Sequence, residues 1–460
     1  MRAAIHKNVA EVRHLLRLAL PLGLAHAGLQ MMSLVDVAVV GRLGAEPLAG
    51  VGIAGTFFFF TLISVSGIVM GTDPLFAQCF GAGLKTRART ILWQGGWIAL
   101  GLSIAVTPLF IASETLMQSF GIQPGITSEA RRYLDIRAIS FFPSALYVVL
   151  RGYLQAKETT RAIVLSIIVA NVVNLVANLL LVFGGGSLPS WTGPLRAVPA
   201  MGLEGAAWAS VASTVILVAI LLAAVRPHEV LQGVVRRLPD LSELGLILRI
   251  GAPVGLQMAA EVAIFALVGL LSGRLGAEQM ASHQIALSLS AMSFTIAVGI
   301  GTAGGVRVGR EIGADRAGGT RRAGFVAFAC GGGFMSITAL LFVIFPRPIA
   351  SLLTSAPSVI ETVVPLLAIA AVFQISDGIQ AVGSGVLRGA GDTTFAFLAN
   401  LMGHWLIGFP TAMYVGFSLG LGVTGLWWGL CAGLTAVALA LLIRFHVLSS
   451  RGVRRLIDPS

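Results

Sequence analysis

The sequence is poor in charged residues and in cysteine. Only 11% of its 460 residues are charged, whereas 56% are apolar and the mean hydropathy is +0.89. A soluble domain needs far more charge on its surface, so most of this surface must face lipid. Cys79, Cys330 and Cys431 lie in or beside apolar runs without paired spacing, so we interpret them as small apolar residues rather than ligands or bridges.

Other absences narrow the class further. No polar segment is long enough to form a soluble catalytic domain, and the alternating pattern of membrane β-barrel strands is missing. The first apolar run is too long for a cleavable signal peptide and lacks a small-residue cleavage site. The glycine clusters at 184–186 and 331–333 lack the lysine and threonine of a phosphate loop, so no ATP site is predicted. What remains is a helical membrane protein.

Apolar runs recur along the whole chain, and about twelve approach the ~20 residues that cross a bilayer as a helix. The sequence therefore predicts an all-α integral membrane protein with twelve transmembrane helices. The predicted spans are 15–40, 48–72, 90–112, 134–155, 162–184, 201–225, 246–272, 280–303, 323–346, 363–386, 394–417 and 422–446.

The net charge of +11 is distributed unevenly between the two sides of the predicted bundle. When the loops are assigned alternately, 24 of the 31 basic residues lie on the side of the termini. The other seven are Arg42, Arg131, Arg132, Arg137, Arg196, Arg274 and Arg347. By the positive-inside rule both termini are expected in the cytoplasm. The basic excess is thus a topology signal, with no nucleic-acid partner implied.

The chain contains an internal duplication. The letters GRLGAE at 41–46 return at 273–278, and the same offset of 232 carries Pro21 onto Pro253 and Gly81 onto Gly313. Two copies of six spans imply a pseudo-two-fold axis along the membrane normal. We therefore predict an N-lobe at 1–225, a cytoplasmic linker at 226–244 and a C-lobe at 245–460.

Three carboxylates fall in the middle of predicted spans: Asp36, Glu261 and Asp377. Placing a carboxylate in hydrocarbon costs roughly 3 kcal/mol on insertion scales, so such groups face a cavity or a partner. No arginine lies mid-span to neutralise Asp36 or Glu261, and the duplication did not copy either acid. Structural acids would more naturally be copied with the scaffold, so the sequence favours an ion-coupling function over a structural one.

Amides accompany these acids. Gln257 lies one turn before Glu261, and Gln374 and Gln380 flank Asp377 at helical spacing. In the fifth span Asn171, Asn174 and Asn178 are predicted to share one helix face. Their amide oxygens suit Na⁺, but the amides serve equally well as bonds between helices. His283-Gln284 is a further candidate for substrate binding, although a lone histidine is more often a packing residue.

One motif suggests an enzyme. Gly389-Ala390-Gly391-Asp392 fits the GxGD pattern of intramembrane aspartyl proteases. Such an enzyme needs a second buried aspartate that shares a proton with the first. Asp392 instead lies beside Arg388 at a predicted helix end, so the protease remains a minor alternative.

Several segments together resemble a known family, the multidrug and toxic compound extrusion (MATE) transporters, in particular their NorM-type bacterial branch. The resemblance covers essentially the whole chain and rests on residues 34–36 with Gly41-Arg42, 77–83, 253–261, 282–286, 387–389 and 391–393. It implies two six-helix bundles around a V-shaped cavity. It also implies an antiporter, without a cofactor, that exports organic cations in exchange for Na⁺ or H⁺ by alternating access.

The resemblance assigns roles to residues already singled out. Asp36 resembles the N-lobe acid of the family, with Asn174 and Asn178 as its companions, and Glu261 and Asp377 resemble the C-lobe pair of the NorM branch. With Gln257 and Gln284 these form the predicted ion-coupling and substrate-binding set. If the protein is sodium-coupled, Asp36, Glu261 and Asp377 are the expected Na⁺ ligands.

The resemblance also sets the expected surroundings. The partners are drugs and dyes that are organic cations, and the protein is expected as a monomer in the bacterial inner membrane. A lipid-linked oligosaccharide flippase of related architecture is the main alternative. Such a flippase needs a cationic cavity for pyrophosphate, whereas the mid-span charges identified here are acidic.

Overall fold

The computed structural model describes residues 2–186, 190–225 and 235–458. In the first half of the chain the long helices are α1 (Arg2–Val40), α2 (Ala45–Gly81), α3 (Lys85–Ile111), α4 (Pro124–Ala156), α5 (Thr160–Phe183) and α6 (Leu203–Ala224). In the second half they are α7 (Leu241–Arg274), α8 (Ala277–Gly313), α9 (Ala317–Ile344), α10 (Pro357–Ala390), α11 (residues 393–418) and α12 (Gly422–Arg451). Short helices, Ser113–Ser119 and Pro346–Ser351, precede α4 and α10.

Eleven of these helices are long and apolar enough to cross a membrane within the described ranges; α2 is interrupted at Met70-Gly71, and α4 contains a 3-10 turn, Ala138–Ser140. The remaining one, α11, contains two π-helical turns, Met402–Gly408 and Tyr414–Ser418. Pro410 lies between them and has no backbone N–H to donate, so the regular hydrogen-bond ladder cannot run through this segment. Each predicted span overlaps one helix, and the prediction of a twelve-helix, all-α membrane protein is confirmed over the described residues.

The two halves pack in a reciprocal way. The first helix of each half lies against the second helix of the other, since α1 packs on α8 and α2 packs on α7. Within the halves, α1 packs on α5, α5 on α6, α8 on α10 and α10 on α12. This exchange is the geometry that a duplicated six-helix unit produces around a pseudo-two-fold axis.

The halves are in close contact at one end of the bundle. We call this the terminal end, because α1 begins and α12 ends there, and the opposite one the distal end. At the terminal end Gly251 lies against the carbonyl of Ile68, and Gly313 lies against the carbonyl of Gln78. A side chain at either glycine would collide with backbone across the boundary. The segment after α12 crosses this boundary too, because the Leu456 N–H donates to Gln78 Oε1 at 2.7 Å.

The predicted linker is only partly visible, since residues 226–234 lie outside the described residues. Asp240 caps the start of α7, because its Oδ1 accepts from the Ser242 N–H at 3.0 Å and from the Ser242 hydroxyl at 2.7 Å. The Ser242 hydroxyl bond is the main cause that lowers the pKa of Asp240. Residues 241–244, which the sequence assigned to the linker, therefore belong to the helix. The lobe boundaries themselves stay a prediction.

Candidate ion-coupling sites

The first candidate site surrounds Asp36 on α1. This carboxylate is buried and accepts four hydrogen bonds from three helices. Asn174 and Asn178 of α5 donate their Nδ2 groups to Oδ1 at 3.0 and 2.7 Å. Oδ2 accepts from the Tyr133 hydroxyl of α4 at 3.4 Å and from the Ser210 hydroxyl of α6. The structure thus brings together the three residues that the sequence predicted, and adds two hydroxyls.

The orientation of the two asparagines leaves oxygen atoms without partners. Asn174 Oδ1 and Asn178 Oδ1 are buried and accept no hydrogen bond among the described residues. Buried polar atoms without partners are few in native structures, and each calls for an explanation such as a bound water or ion. Two amide oxygens beside a carboxylate form a donor set that suits a hard cation. The site therefore fits Na⁺ as well as a proton.

Asn171 departs from the predicted pattern. Its Nδ2 donates to the Gly28 carbonyl of α1 at 3.0 Å and to the Ile167 carbonyl at 2.9 Å. It therefore bonds α5 to α1 through the backbone and makes no hydrogen bond with Asp36. Of the three asparagines that the sequence placed on one face, two serve the acid and one serves helix packing.

The second candidate site lies in the other half, around Glu261 of α7 and Asp377 of α10. The two carboxylates are close enough to interact electrostatically. Gln380 Nε2 lies 3.4 and 3.5 Å from the two oxygens of Glu261 and donates to Asn400 Oδ1 of α11 at 2.9 Å. No ion pair with lysine or arginine is found for either acid in the described chain. Two neighbouring carboxylates with so little compensation form a site for a cation.

The glutamines around this pair have separate partners. Gln257 donates to the Ser384 hydroxyl of α10 at 3.1 Å. Gln374 and the Ser293 hydroxyl of α8 are joined by hydrogen bonds of 2.6 and 2.9 Å. Both glutamines therefore connect α10 to a neighbouring helix, Gln257 from α7 and Gln374 to α8. Neither makes a described hydrogen bond with Glu261 or Asp377.

His404 of α11 adds a group that sequence reasoning missed. It is buried one turn beyond Asn400, near the ring of Phe265, and both of its ring nitrogens lack a hydrogen-bond partner among the described residues. The π-helical turn that contains it shifts the helical register, so ordinary 3.6-residue spacing could not place it. Tyr133, Ser210 and Asn400 were missed for a different reason, because each is a single polar residue in an apolar span.

The remaining candidates lie elsewhere. His283 is buried and accepts a hydrogen bond at Nδ1 from the indole of Trp427 at 3.2 Å, which fits the packing alternative. Gln284 is exposed, and no described hydrogen bond joins it to either acid site, so its function stays a prediction. Asp392 pairs with Arg444 at 2.6 Å near the terminal end, which removes it from any buried aspartate pair.

A third polar centre, not predicted, lies between the halves near the terminal end. The count of basic residues by side grouped Arg151 and Arg388 with the loops of the terminal side, although Arg151 falls within the predicted span 134–155; the structure places both within helices, α4 and α10. Asp73 of α2 lies 3.9 Å from the Arg388 guanidinium, with Arg151 beside them. Both arginines lie near the ends of long helices. Counting basic residues on each side of the membrane cannot distinguish such buried arginines from arginines that are exposed in loops.

The donor types at these sites limit the possible ligands. Among the described residues, no three His, Cys, Asp or Glu side chains lie together as a metal-binding group. A transition-metal centre needs such a group. A bound Na⁺ would instead use amide, hydroxyl or backbone oxygens together with the carboxylates.

Two pseudo-symmetric halves with buried acids in membrane-embedded helices define a secondary membrane transporter. Comparison with known proteins identifies the family. The family model described as MatE matches residues 21–180 and 253–414. The chain is 35% identical over 447 residues to "Multidrug resistance protein NorM" of Burkholderia vietnamiensis, which covers 94% of this chain and 93% of that protein.

Solved structures agree on the fold. The MATE transporter VcmN of Vibrio cholerae in its bent form superposes with a TM-score of 0.83 at 18% identity, over 97% of this chain and 98% of that one. The eukaryotic MATE transporter AtDTX14 superposes with a TM-score of 0.82 at 22% identity, over 96% of both chains. The chain belongs to the MatE family, whose members are multi-pass membrane transporters driven by ion gradients rather than enzymes. The protease and flippase alternatives are not favoured.

Proposed function

We propose that this transporter exports organic cations, including drugs and dyes, in exchange for Na⁺ or H⁺. The observation that carries the proposal is the pair of buried acid sites, neither of which has a lysine or arginine counterion in the described structure. Similarity to proteins named for multidrug resistance supports the choice of substrate class. Such sites attract cations, and a drug cation can replace the coupling ion without any group specific to one drug.

In the proposed cycle the ion and the drug compete for the acids. A ligand shifts a conformational equilibrium only through its different affinities for the two states. Asp36, assisted by Asn174 and Asn178, and the Glu261–Asp377 pair would hold the ion in one state and the drug in the other. Gln257 orders α7 against α10 near the pair, and Gln284 is proposed as a substrate contact.

We also propose the orientation and location of the protein. The basic excess at the terminal end supports placing that end in the cytoplasm of a bacterium, with the protein as a monomer in the inner membrane. In this orientation the halves are closed towards the cytoplasm in the state described here. Drug would leave from the distal end.

Ethidium transport into inside-out vesicles tests the proposal, because the cytoplasmic side of the protein faces outwards there and export carries the dye into the vesicle. A Na⁺ gradient imposed at fixed pH and a pH gradient imposed without Na⁺ are compared separately. Transport driven by Na⁺ would assign the carboxylates and amide oxygens to metal-ion coordination, and transport driven only by the pH gradient would make the acids proton carriers. If neither gradient moves ethidium or any other organic cation tested, the proposed drug export is wrong.

Variants connect the result to the sites. Asp36→Asn and Glu261→Gln should abolish gradient-driven efflux while the protein remains inserted. Glu204→Gln serves as the control, because Glu204 is an acid at the distal end that pairs with the exposed Arg132 at 2.8 Å. The control should transport like the unmodified protein. Full efflux by Asp36→Asn would contradict the assignment of that acid.

A further inference from the structure

Four turns at the terminal end share one backbone geometry. They follow α2, α4, α8 and α10, and their left-handed residues are Gly83, Glu158, Asp315 and Gly391. In each turn the left-handed residue donates its N–H to the carbonyl three residues earlier, and the next residue donates to the carbonyl five residues before itself. The duplicated scaffold thus ends four helices with the same closing motif.

Two of the four turns have an acidic residue where the others have glycine. The φ angles are +62° at Glu158 and +59° at Asp315, in the region that residues with a Cβ atom rarely adopt. Glycine is the usual residue at this position of the motif, and the two turns with Gly83 and Gly391 show that the scaffold accepts it. A side chain in this conformation can make a contact that glycine cannot, at the cost of backbone strain.

At Glu158 the side chain makes a contact across the boundary between the halves. Its carboxylate is 3.0 Å from Arg310 Nη1 and 3.8 Å from Arg307 Nη1, and both arginines belong to α8 of the other half. Arg310 Nη1 also donates to the Ala156 carbonyl, at the end of α4, at 3.1 Å. His14 Nε2 of α1 donates to the same carboxylate oxygen, at 3.1 Å. The turn therefore holds the carboxylate against two arginines of the opposite half.

A neighbouring ion pair strengthens this contact. Arg307 donates from Nε and Nη2 to the two carboxylate oxygens of Glu11 of α1, at 2.8 and 3.0 Å. A second carboxylate of the first half therefore contacts α8. The side chains of Arg307 and Glu11 are only 10% and 13% exposed, so their attraction is less screened than that of a surface pair. Together these acids and arginines join α1 and the turn after α4 to α8.

Asp315 has the same left-handed backbone conformation, but its side chain makes no described contact with the other half. Its carboxylate lies 3.5 Å from Arg455, which belongs to the same half of the chain, and its side chain is 85% exposed. The two left-handed acids therefore form a matched pair. Replacing either by glycine relieves the same backbone strain, but only the replacement at Glu158 removes a contact between the halves.

We propose that Glu158 is a clasp residue that holds the halves together at the terminal end and thereby favours the state that is closed there. Its contacts with Arg310 must break each time this end opens, so the clasp sets how often the transporter reaches the alternate state. The inference rests on the proposed function only in requiring that the halves separate at this end during transport. It needs neither a particular drug nor a particular ion.

A spin-label distance between the halves tests the clasp without any transport assay. Thr86 and Gly318 are exposed, lie at pseudo-equivalent positions of the two halves and suit cysteine labelling after Cys79, Cys330 and Cys431 are replaced. Glu158→Gly should raise the ratio of long to short distances about fivefold or more, the effect of losing one charge-assisted hydrogen bond. Asp315→Gly, the matched control, should leave the distance distribution unchanged.

Glu158→Gln separates charge from backbone, because glutamine carries the same left-handed strain without the charge. It should shift the distances in the same direction as Glu158→Gly, and it also serves if the glycine variant fails to fold. Arg310→Gln should shift them too, and the double variant Glu158→Gln with Arg310→Gln should exceed the larger single effect only slightly, since one contact is lost. Unchanged distances in both Glu158 variants, or an equal shift in Asp315→Gly, would overturn the proposal. If the distances respond to the variants as expected but the unmodified protein exports no organic cation, the result would instead count against the proposed function and leave the clasp intact.

Discussion

Replacing Asp36 by alanine or by asparagine should have very different effects on stability, although both should stop transport. In Asp36→Asn one carboxylate oxygen becomes an amide donor. If that donor faces the hydroxyls of Tyr133 and Ser210, both can rotate and accept, because a hydroxyl has a donor and two acceptor sites. The remaining oxygen still accepts from Asn174 and Asn178. Every partner keeps a hydrogen bond, so the stability should change little.

Alanine removes both oxygens. Asn178 Nδ2 still donates to the Asn174 carbonyl at 2.9 Å, so three buried donors are left facing an apolar methyl group. An unsatisfied buried donor costs about 1–3 kcal/mol, so three donors imply a loss of roughly 3 kcal/mol at the lower limit. Rearrangement of the hydroxyls reduces this loss, whereas the two amides have little room because Asn174 and Asn178 are fully buried. For a chain of 460 residues a loss of this size would lower the apparent melting temperature by about 3 °C.

The assay is thermal melting of the purified protein in detergent, followed by the monodisperse fraction that survives heating. Asp135→Ala is the control, since Asp135 is an exposed acid of α4 that pairs with Arg131 four residues away. Exposed pairs of this kind contribute about 0.5 kcal/mol or less. The reasoning is refuted if Asp36→Ala melts at the same temperature as the unmodified protein and the Asp135→Ala control, or if Asp36→Asn is the less stable of the two Asp36 variants.

Three further outcomes follow from other contacts. Gln380→Leu should strengthen inhibition of ethidium efflux by the coupling ion, because Glu261 loses its nearest donor and its charge is then compensated mainly by a bound cation; an unchanged ion dependence would contradict this. Gly251→Val should abolish transport and impair folding, since the new side chain meets the Ile68 carbonyl across the boundary; a normal melting temperature with normal efflux would be unexpected. Asp240→Ala should destabilise the start of α7. The lowered pKa of Asp240 means that its cap stabilises above the usual carboxyl pKa and is lost as the pH falls, so the variant and the parent should converge in acid.

The sequence predicts the class of fold and part of each acid site, because these depend on features that a linear pattern records. Apolar length identified the helices, and the duplication revealed the two halves. The carboxylates stood out because charge is rare in spans. Tyr133 and Asn400 could not be found in this way, since a single hydroxyl or amide in a span is ordinary and only the packing of α4 and α11 brings them to the acids. The burial of Arg151 could not be found either, because it lies near the end of a predicted span and only the packing of the helices shows that it is buried.

The duplication preserved the frame of the two halves but not their polar centres, and the difference has a consequence for transport. In the first half one carboxylate, Asp36, accepts four neutral donors, so it is well compensated when no cation is bound. In the second half Gln380 donates to Glu261, and no described hydrogen bond joins it to Asp377, so two neighbouring carboxylates remain with little compensation in a medium of low dielectric. Like charges that interact in such a medium favour a bound cation. The second site should therefore hold a cation through more of the cycle, whereas the first can be emptied at lower cost. Two sites that differ in this way can release their cations at different steps, which two identical copies could not do.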